Sequence, residues 1–240
     1  MIANLYEKGW EVIYHRAHAL LAAQIAGHWH PEKRPLRWLE TIAAISHHDD
    51  LEKEWEGNHL TEAGAPLDFT LAKETDLSKV RRLTQNARYR GRWVAMLISM
   101  HMSFLSEGKR GESPELNSFL DEQLQNQEQW RHELNVTKDE AAQAYEFFQW
   151  CDRLSLILCN RELPVGERAL EIATLSDGKR YDVIQSSDGV TVQPWPFLEE
   201  KFTVNVEASY LEQLKFDSND ELTQALVTAP IKTLVWTFVR

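Results

Sequence analysis

The sequence predicts an α+β protein, mainly α-helical, with a small antiparallel β subdomain at its C-terminal end. Three observations carry that prediction. Between His15 and Asn160, apolar residues recur at the three-to-four-residue spacing of amphipathic helices, in long runs punctuated by Pro31, Pro35, Gly108 and Pro114. After Ala169 the pattern changes to short alternating runs separated by Ser176-Asp177-Gly178 and Ser187-Asp188-Gly189, both strong turn sequences. The chain has 240 residues, 43% of them hydrophobic, enough for one large domain or a main domain with an appendage. The change of pattern divides it into a helical domain over 1–165 and a β-rich appendage over 166–240.

The elements follow in order. Ile2 to Leu5 and Trp10 to Tyr14 read as two short strands around Glu7-Lys8-Gly9. An Ala- and Leu-rich helix runs from about His15 to His28, and a second from about Leu36 to Glu54. Glu56 to Leu77, with Gly57, Gly64 and Pro66, reads as an ordered loop. A single helix is expected from about Ser78 to Ser106, basic at its start and apolar later, and another from Pro114 to Leu134. The last long helix, Lys138 to Asn160, begins after Thr137, which caps it together with Glu140. Strands are expected at Ala169–Leu175, Arg180–Gln185, Val190–Gln193, Phe202–Val206 and Ile231–Val239, with a short helix at Asp220–Val227.

Charge and cysteine content exclude several classes. A net charge of -11 argues against attraction to nucleic-acid polymers or anionic lipid. Cys151 and Cys159 lie eight residues apart on one helix, too far to bridge, and read as reduced core thiols. The N-terminus carries no basic region followed by an apolar one, and no run of about 18 apolar residues occurs. A cytoplasmic location without membrane association is the expectation.

Polar residues on apolar faces point to chemistry. The run Thr41-Ile-Ala-Ala-Ile-Ser-His-His-Asp-Asp50 is apolar and helical, then ends in two histidines and two aspartates. Ile42 and Ile45 share a face with Asp49, and Ala44 projects beside His48, so this polar pair continues a core-facing surface. A buried carboxylate needs a partner, and imidazole nitrogen with carboxylate oxygen makes a metal-ligand set. His18, His101 and Asp152 occupy comparable positions on three other helices, Asp152 where an aliphatic residue would continue the stripe.

The order H…HD…D, formed by His18, His48-Asp49 and Asp152, resembles the HD superfamily of metal-dependent phosphohydrolases. Arg16-Ala-His-Ala19, Ala44-Ile-Ser-His-His-Asp-Asp50, Ser99-Met-His-Met102 and Trp150-Cys-Asp-Arg-Leu-Ser-Leu156 look like a bacterial branch of it in which a β appendage follows the helical domain. The resemblance covers roughly Glu11 to Leu163 and implies an HD-like fold with a divalent ion (Mn, Fe, Co, Ni or Zn) on His18, His48, Asp49 and Asp152. A second ion would be bridged by Asp49, with His101 as the additional histidine. The usual binuclear pattern has two such histidines, whereas here His59 follows too soon and lies in a loop.

The expected activity is hydrolysis of a small phosphate ester, with a nucleotide as the favoured substrate class, by a metal-activated water. Asp49, Asp50 and Lys53 are the candidate catalytic residues, and Arg88 and Arg92 the candidates for binding substrate phosphate. Two alternatives stand beside it: a mixed-valence di-iron oxygenase of the HD type, and a metal-bearing binding module without turnover. A homodimer is compatible with the resemblance.

Overall fold

The computed structural model describes residues 1–51, 57–71 and 76–240. A hairpin of β1 (Ile2–Tyr6) and β2 (Gly9–Ile13) leads into helices α1 (His15–Gly27) and α2 (Trp38–His47). Helices α3 (Leu77–Ala87), α4 (Arg92–Glu107), α5 (Pro114–Leu134) and α6 (Lys138–Cys159) follow. Strands β3 (Ala169–Thr174), β4 (Arg180–Ser186), β5 (Gly189–Gln193) and β6 (Lys201–Leu211), helix α7 (Asn219–Thr228) and strand β7 (Ile231–Val239) complete the chain.

The β region corrects the expected fold class. It is a large part of the structure, a seven-stranded mixed sheet curled into a half-barrel, and not a small appendage. The strand order β1-β2-β6-β7-β5-β4-β3 places the N-terminal hairpin at one end of a sheet whose other strands come from the last third of the chain. Nor is the sheet antiparallel throughout, because β5 runs parallel to β7, with Val190 opposite Phe238. Gly9 permits the unexpected junction: a Cβ there would collide with the Leu211 carbonyl of β6, and Trp10 pairs with Leu211. Period-two alternation reveals strands but is silent about which strand lies beside which. Along β6 the alternation is clean, with Phe202, Val204, Val206 and Ala208 turned inward.

Local sequence explains where the helices start and stop. Thr137 and Glu140 form the anticipated capping box of α6, and Ser113 caps α5 with Pro114 in its first turn. The helix expected over Ser78–Ser106 is two helices, separated by a 3-10 turn at Arg88–Arg90 and by Gly91 at φ 106° and ψ 160°. Only glycine adopts that backbone without strain, so α4 starts afresh in a new direction. Helix α2 ends at His47, earlier than expected, so the histidine-aspartate pair sits at its C-terminal tip.

Aromatic packing joins helices to sheet. Trp29, at the end of α1, meets Trp150 of α6 and Phe197, with ring centroids 4.8 and 6.0 Å away, and bridges Phe197 through its backbone. Gln24 of α1 exchanges two hydrogen bonds with the backbone of Asn205 on β6. At the other end of α6, fully buried Glu11 accepts from Arg161, Tyr210 and Asn4, and Asn4 also donates to the Cys159 carbonyl at 2.7 Å. The sheet therefore fixes the axes of both α1 and α6. Among the described residues no helix is long and apolar enough to cross a membrane.

Candidate metal centre

Four chain segments converge on one point. His18 lies in the first full turn of α1, and His48 and Asp49 at the tip of α2. His101 lies on α4, and Asp152 midway along α6. The three imidazoles are buried, and the two carboxylates are nearly so. The structure thus brings together all five residues that the sequence nominated as ligands.

The hydrogen bonds orient these rings. His48 Nδ1 donates to the Ile45 carbonyl at 2.6 Å, a bond made possible by the turn that ends α2, which leaves Nε2 facing the centre. Ser155 Oγ donates to the Asp152 carbonyl at 2.8 Å, so its lone pairs accept from His18 Nδ1 at 2.9 Å, and His18 Nε2 also points inward. His101 Nδ1 lies 3.3 Å from the Tyr145 hydroxyl, which accepts from it when Nε2 is the ligand. Histidines that bind metals are held in this way, one nitrogen tied behind and the other free to coordinate.

The inward atoms face carboxylates. His18 Nε2 is 2.6 Å from Asp49 Oδ2, and His48 Nε2 is 3.6 Å from the same oxygen and 3.2 Å from Asp152 Oδ1. Asp152 Oδ1 is buried and accepts no well-aligned hydrogen bond. Bonds of about 2.1 Å would set neighbouring ligand atoms about 3.0 Å apart in an octahedron and about 3.4 Å in a tetrahedron. His18, His48 and Asp49 each offer an atom within 4.8 Å of the others, and so do His48, His101 and Asp152. These groups could hold a metal ion.

Electrostatics supports the same conclusion. Burial alone would lower the His48 pKa, but the charges of Asp49 and Asp152 overcome it and raise it to about 9. Burial likewise opposes ionisation of both aspartates, yet His48 and its neighbours hold Asp49 well below the usual carboxylate range and lower Asp152 too. His101 is pushed down to about 4, first by burial and then by the charge on His48. Two ionised carboxylates at one buried point require a cation between them, and without a metal a protonated imidazole fills that role.

A cavity of about 590 Å³ opens onto the centre, lined by all five of these residues, His18, His48, Asp49, His101 and Asp152. The family model described as a protein of unknown function, DUF3891, matches residues 1–213. The chain belongs to the DUF3891 family. The matched span runs from β1 to the end of β6, so the DUF3891 region contains the whole centre and the sheet strands that brace it. No curated protein matches the chain, and no solved structure does.

Of the other nominated residues, Asp50, Arg88 and Arg92 lie away from the centre. Asp50 turns away from the centre to meet Arg16 Nε at 3.0 Å and His47 Nδ1 at 3.1 Å. Arg92 pairs with Glu133 of α5 at 3.0 Å, and exposed Arg88 donates to the Gln85 carbonyl; neither lines the DUF3891 cavity. Lys53 lies outside the described residues. Among the described residues the cations that line the cavity are Arg16, Lys79 and Lys109.

The sequence gives less notice of Ser155 and Tyr145, the two α6 side chains that meet the candidate ligand histidines His18 and His101. Their spacing from Asp152, three residues after and seven before, was the available signal, since both positions share its helical face. His59, expected in an ordered loop, is buried.

Proposed function

We propose that this DUF3891 protein is a metal-dependent phosphohydrolase with one divalent ion at the His18, His48, Asp49, His101 and Asp152 centre. The observation that carries this reading is the arrangement of three buried imidazoles with Nε2 inward around two ionised carboxylates. The resemblance of the same residues to the HD superfamily supports it. A neutral imidazole nitrogen has one lone pair and serves one ion. Both ligand groupings use His48, which favours a single ion over a di-iron pair and hence hydrolysis over oxygen chemistry.

A bound divalent cation supplies a water acidic enough to be hydroxide near neutral pH and offsets phosphoryl charge. The chain's own residues do the rest. Ser155, Tyr145 and the Ile45 carbonyl would hold the ligand rings in one orientation, which limits the reorganisation that binding requires. Arg16, kept at the cavity wall by Asp50, adds positive charge beside the centre, and Lys79 and Lys109 extend that field along the lining. Asp50 is therefore a positioning residue.

The test is elemental mass spectrometry of protein purified without chelating resin, paired with a phosphate-release assay on mononucleotides and aryl phosphates. One equivalent of metal, lost in His48→Ala and Asp49→Ala together with activity, is the expected result. Failure to retain Mn, Co, Ni, Zn or Fe after incubation, or a loaded protein that releases phosphate from none of these esters, would overturn the reading.

A further inference from the structure

The cavity beside the metal centre carries information about what enters it. One face of α4 runs outward from the ligand histidine: His101 first, then Met102 and Leu105, then Ser106, with Lys109 just past the helix end, all in the lining. At a rise of about 1.5 Å per residue, Leu105 lies about 6 Å from the His101 level and Lys109 about 12 Å. Phe69 and Leu156 add to the same apolar wall, and Leu105 is 54% exposed despite being a leucine. The centre is thus followed by a hydrophobic stretch with a cation beyond it.

The rest of the lining narrows the choice further. The described lining carries three cations, Arg16, Lys79 and Lys109, and three carboxylates, Asp49, Asp76 and Asp152. No side-chain amide is among the described lining residues, and Met102, Leu105, Phe69 and Leu156 give the wall an apolar surface better suited to a hydrocarbon than to a nucleobase edge.

We infer that the cavity accepts a phosphate monoester whose organic part is apolar, an alkyl or aryl phosphate rather than a nucleotide, with that part packed on Met102, Leu105 and Phe69. This substrate class rests on the proposed hydrolase reading, so its test includes binding without turnover. The first measurement is kcat/KM for n-alkyl phosphates from ethyl to hexyl with the Mn-loaded protein. A methylene moved from water into an apolar wall is worth about a fourfold gain, so the series should climb about fourfold per carbon and exceed the nucleoside monophosphates. The second is calorimetric binding of the matching alkyl phosphonates, which cannot be hydrolysed. Their affinities should climb by the same factor, and Leu105→Gln should reduce the step below twofold in both series.

The outcomes separate the two claims. Phosphonates that bind with the expected step while no ester is hydrolysed would sustain the apolar cavity and sink the hydrolase. Hydrolysis with no dependence on chain length, or faster turnover of nucleotides, would overturn the substrate class and leave the hydrolase standing.

Discussion

Replacing Ser155 by alanine should weaken metal binding by 10- to 100-fold without altering its stoichiometry, although Ser155 is not a ligand. Its hydroxyl is completely buried, donates to the Asp152 carbonyl and accepts from His18 Nδ1 at 2.9 Å. In the metal-free variant, His18 can place its proton on Nε2, where Asp49 Oδ2 lies 2.6 Å away, and leave Nδ1 as a bare acceptor. Once Nε2 is a ligand that escape is closed, and a buried N–H is left without a partner, at a cost of about 1–3 kcal/mol. The penalty falls on the bound state alone, which is why it emerges as affinity; about 1.4–2.7 kcal/mol corresponds to the 10- to 100-fold typical of such supporting residues. Competition of Mn or Zn against a chromophoric chelator reads the dissociation constant directly. Ser155→Thr, which keeps the hydroxyl, should recover most of the loss. An alanine variant that binds as tightly as wild type would mean that Ser155 does not set the orientation of His18 in the bound state.

Other expectations follow from the same geometry. Asp49→Ala should abolish metal binding while far-ultraviolet circular dichroism still reports a helical protein; full occupancy in that variant would refute the ligand assignment. Burial alone would raise the Glu11 pKa, but Arg161, Tyr210 and Asn4 together lower it, so its contribution to stability is present above the unfolded carboxylate range and fades as pH falls through and below it. Because the Arg161 partner is 52% exposed, the low end of the range for a charged hydrogen bond applies. Glu11→Gln should therefore cost about 1.5 kcal/mol and lower the melting temperature by roughly 3–6 °C at pH 7. The gap should narrow below about pH 4, the usual range of carboxyl titration. An unchanged melt at pH 7 would remove the clamp from the account of stability. Burial raises the Cys151 thiol well above its ordinary value and pushes Cys159 up to about 12, so neither should react with a thiol reagent until the protein unfolds. Rapid modification of either thiol in the native protein would contradict their placement in the core.

What was legible in the sequence was what leaves a local trace. His18, His48, Asp49, His101 and Asp152 each interrupt an apolar helical face, and periodicity alone exposes a polar residue in that position. The capping box at Thr137 and the strands from Ala169 onward were visible for the same reason. What was hidden depends on neighbours distant in sequence. The pairing of β2 with β6 is decided by register across the chain, so the hairpin at Ile2–Ile13 read as an isolated extension of a helical domain. The kink at Gly91 was hidden differently, because the apolar pattern continues across it and only the backbone angle betrays the break. Arg88 and Arg92 stand out by their charge, yet among the described residues the cavity draws its cations from the start of α1, from α3 and from just past the end of α4, which no contiguous motif unites.

The neighbour relation between β2 and β6 also orders events in time. On the ribosome the first strands emerge early, yet the strand that covers their open edge appears only after some two hundred residues have been made. Helix α1, which carries His18, leans on that same late strand through Gln24 and Asn205. Its final position must await a strand some 180 residues further along. Contacts of such long range slow folding and leave strand edges and apolar surface exposed meanwhile. The final placement of His18 beside His48 and Asp49 is thus coupled to closure of the sheet, and follows the joining of β6 to β2.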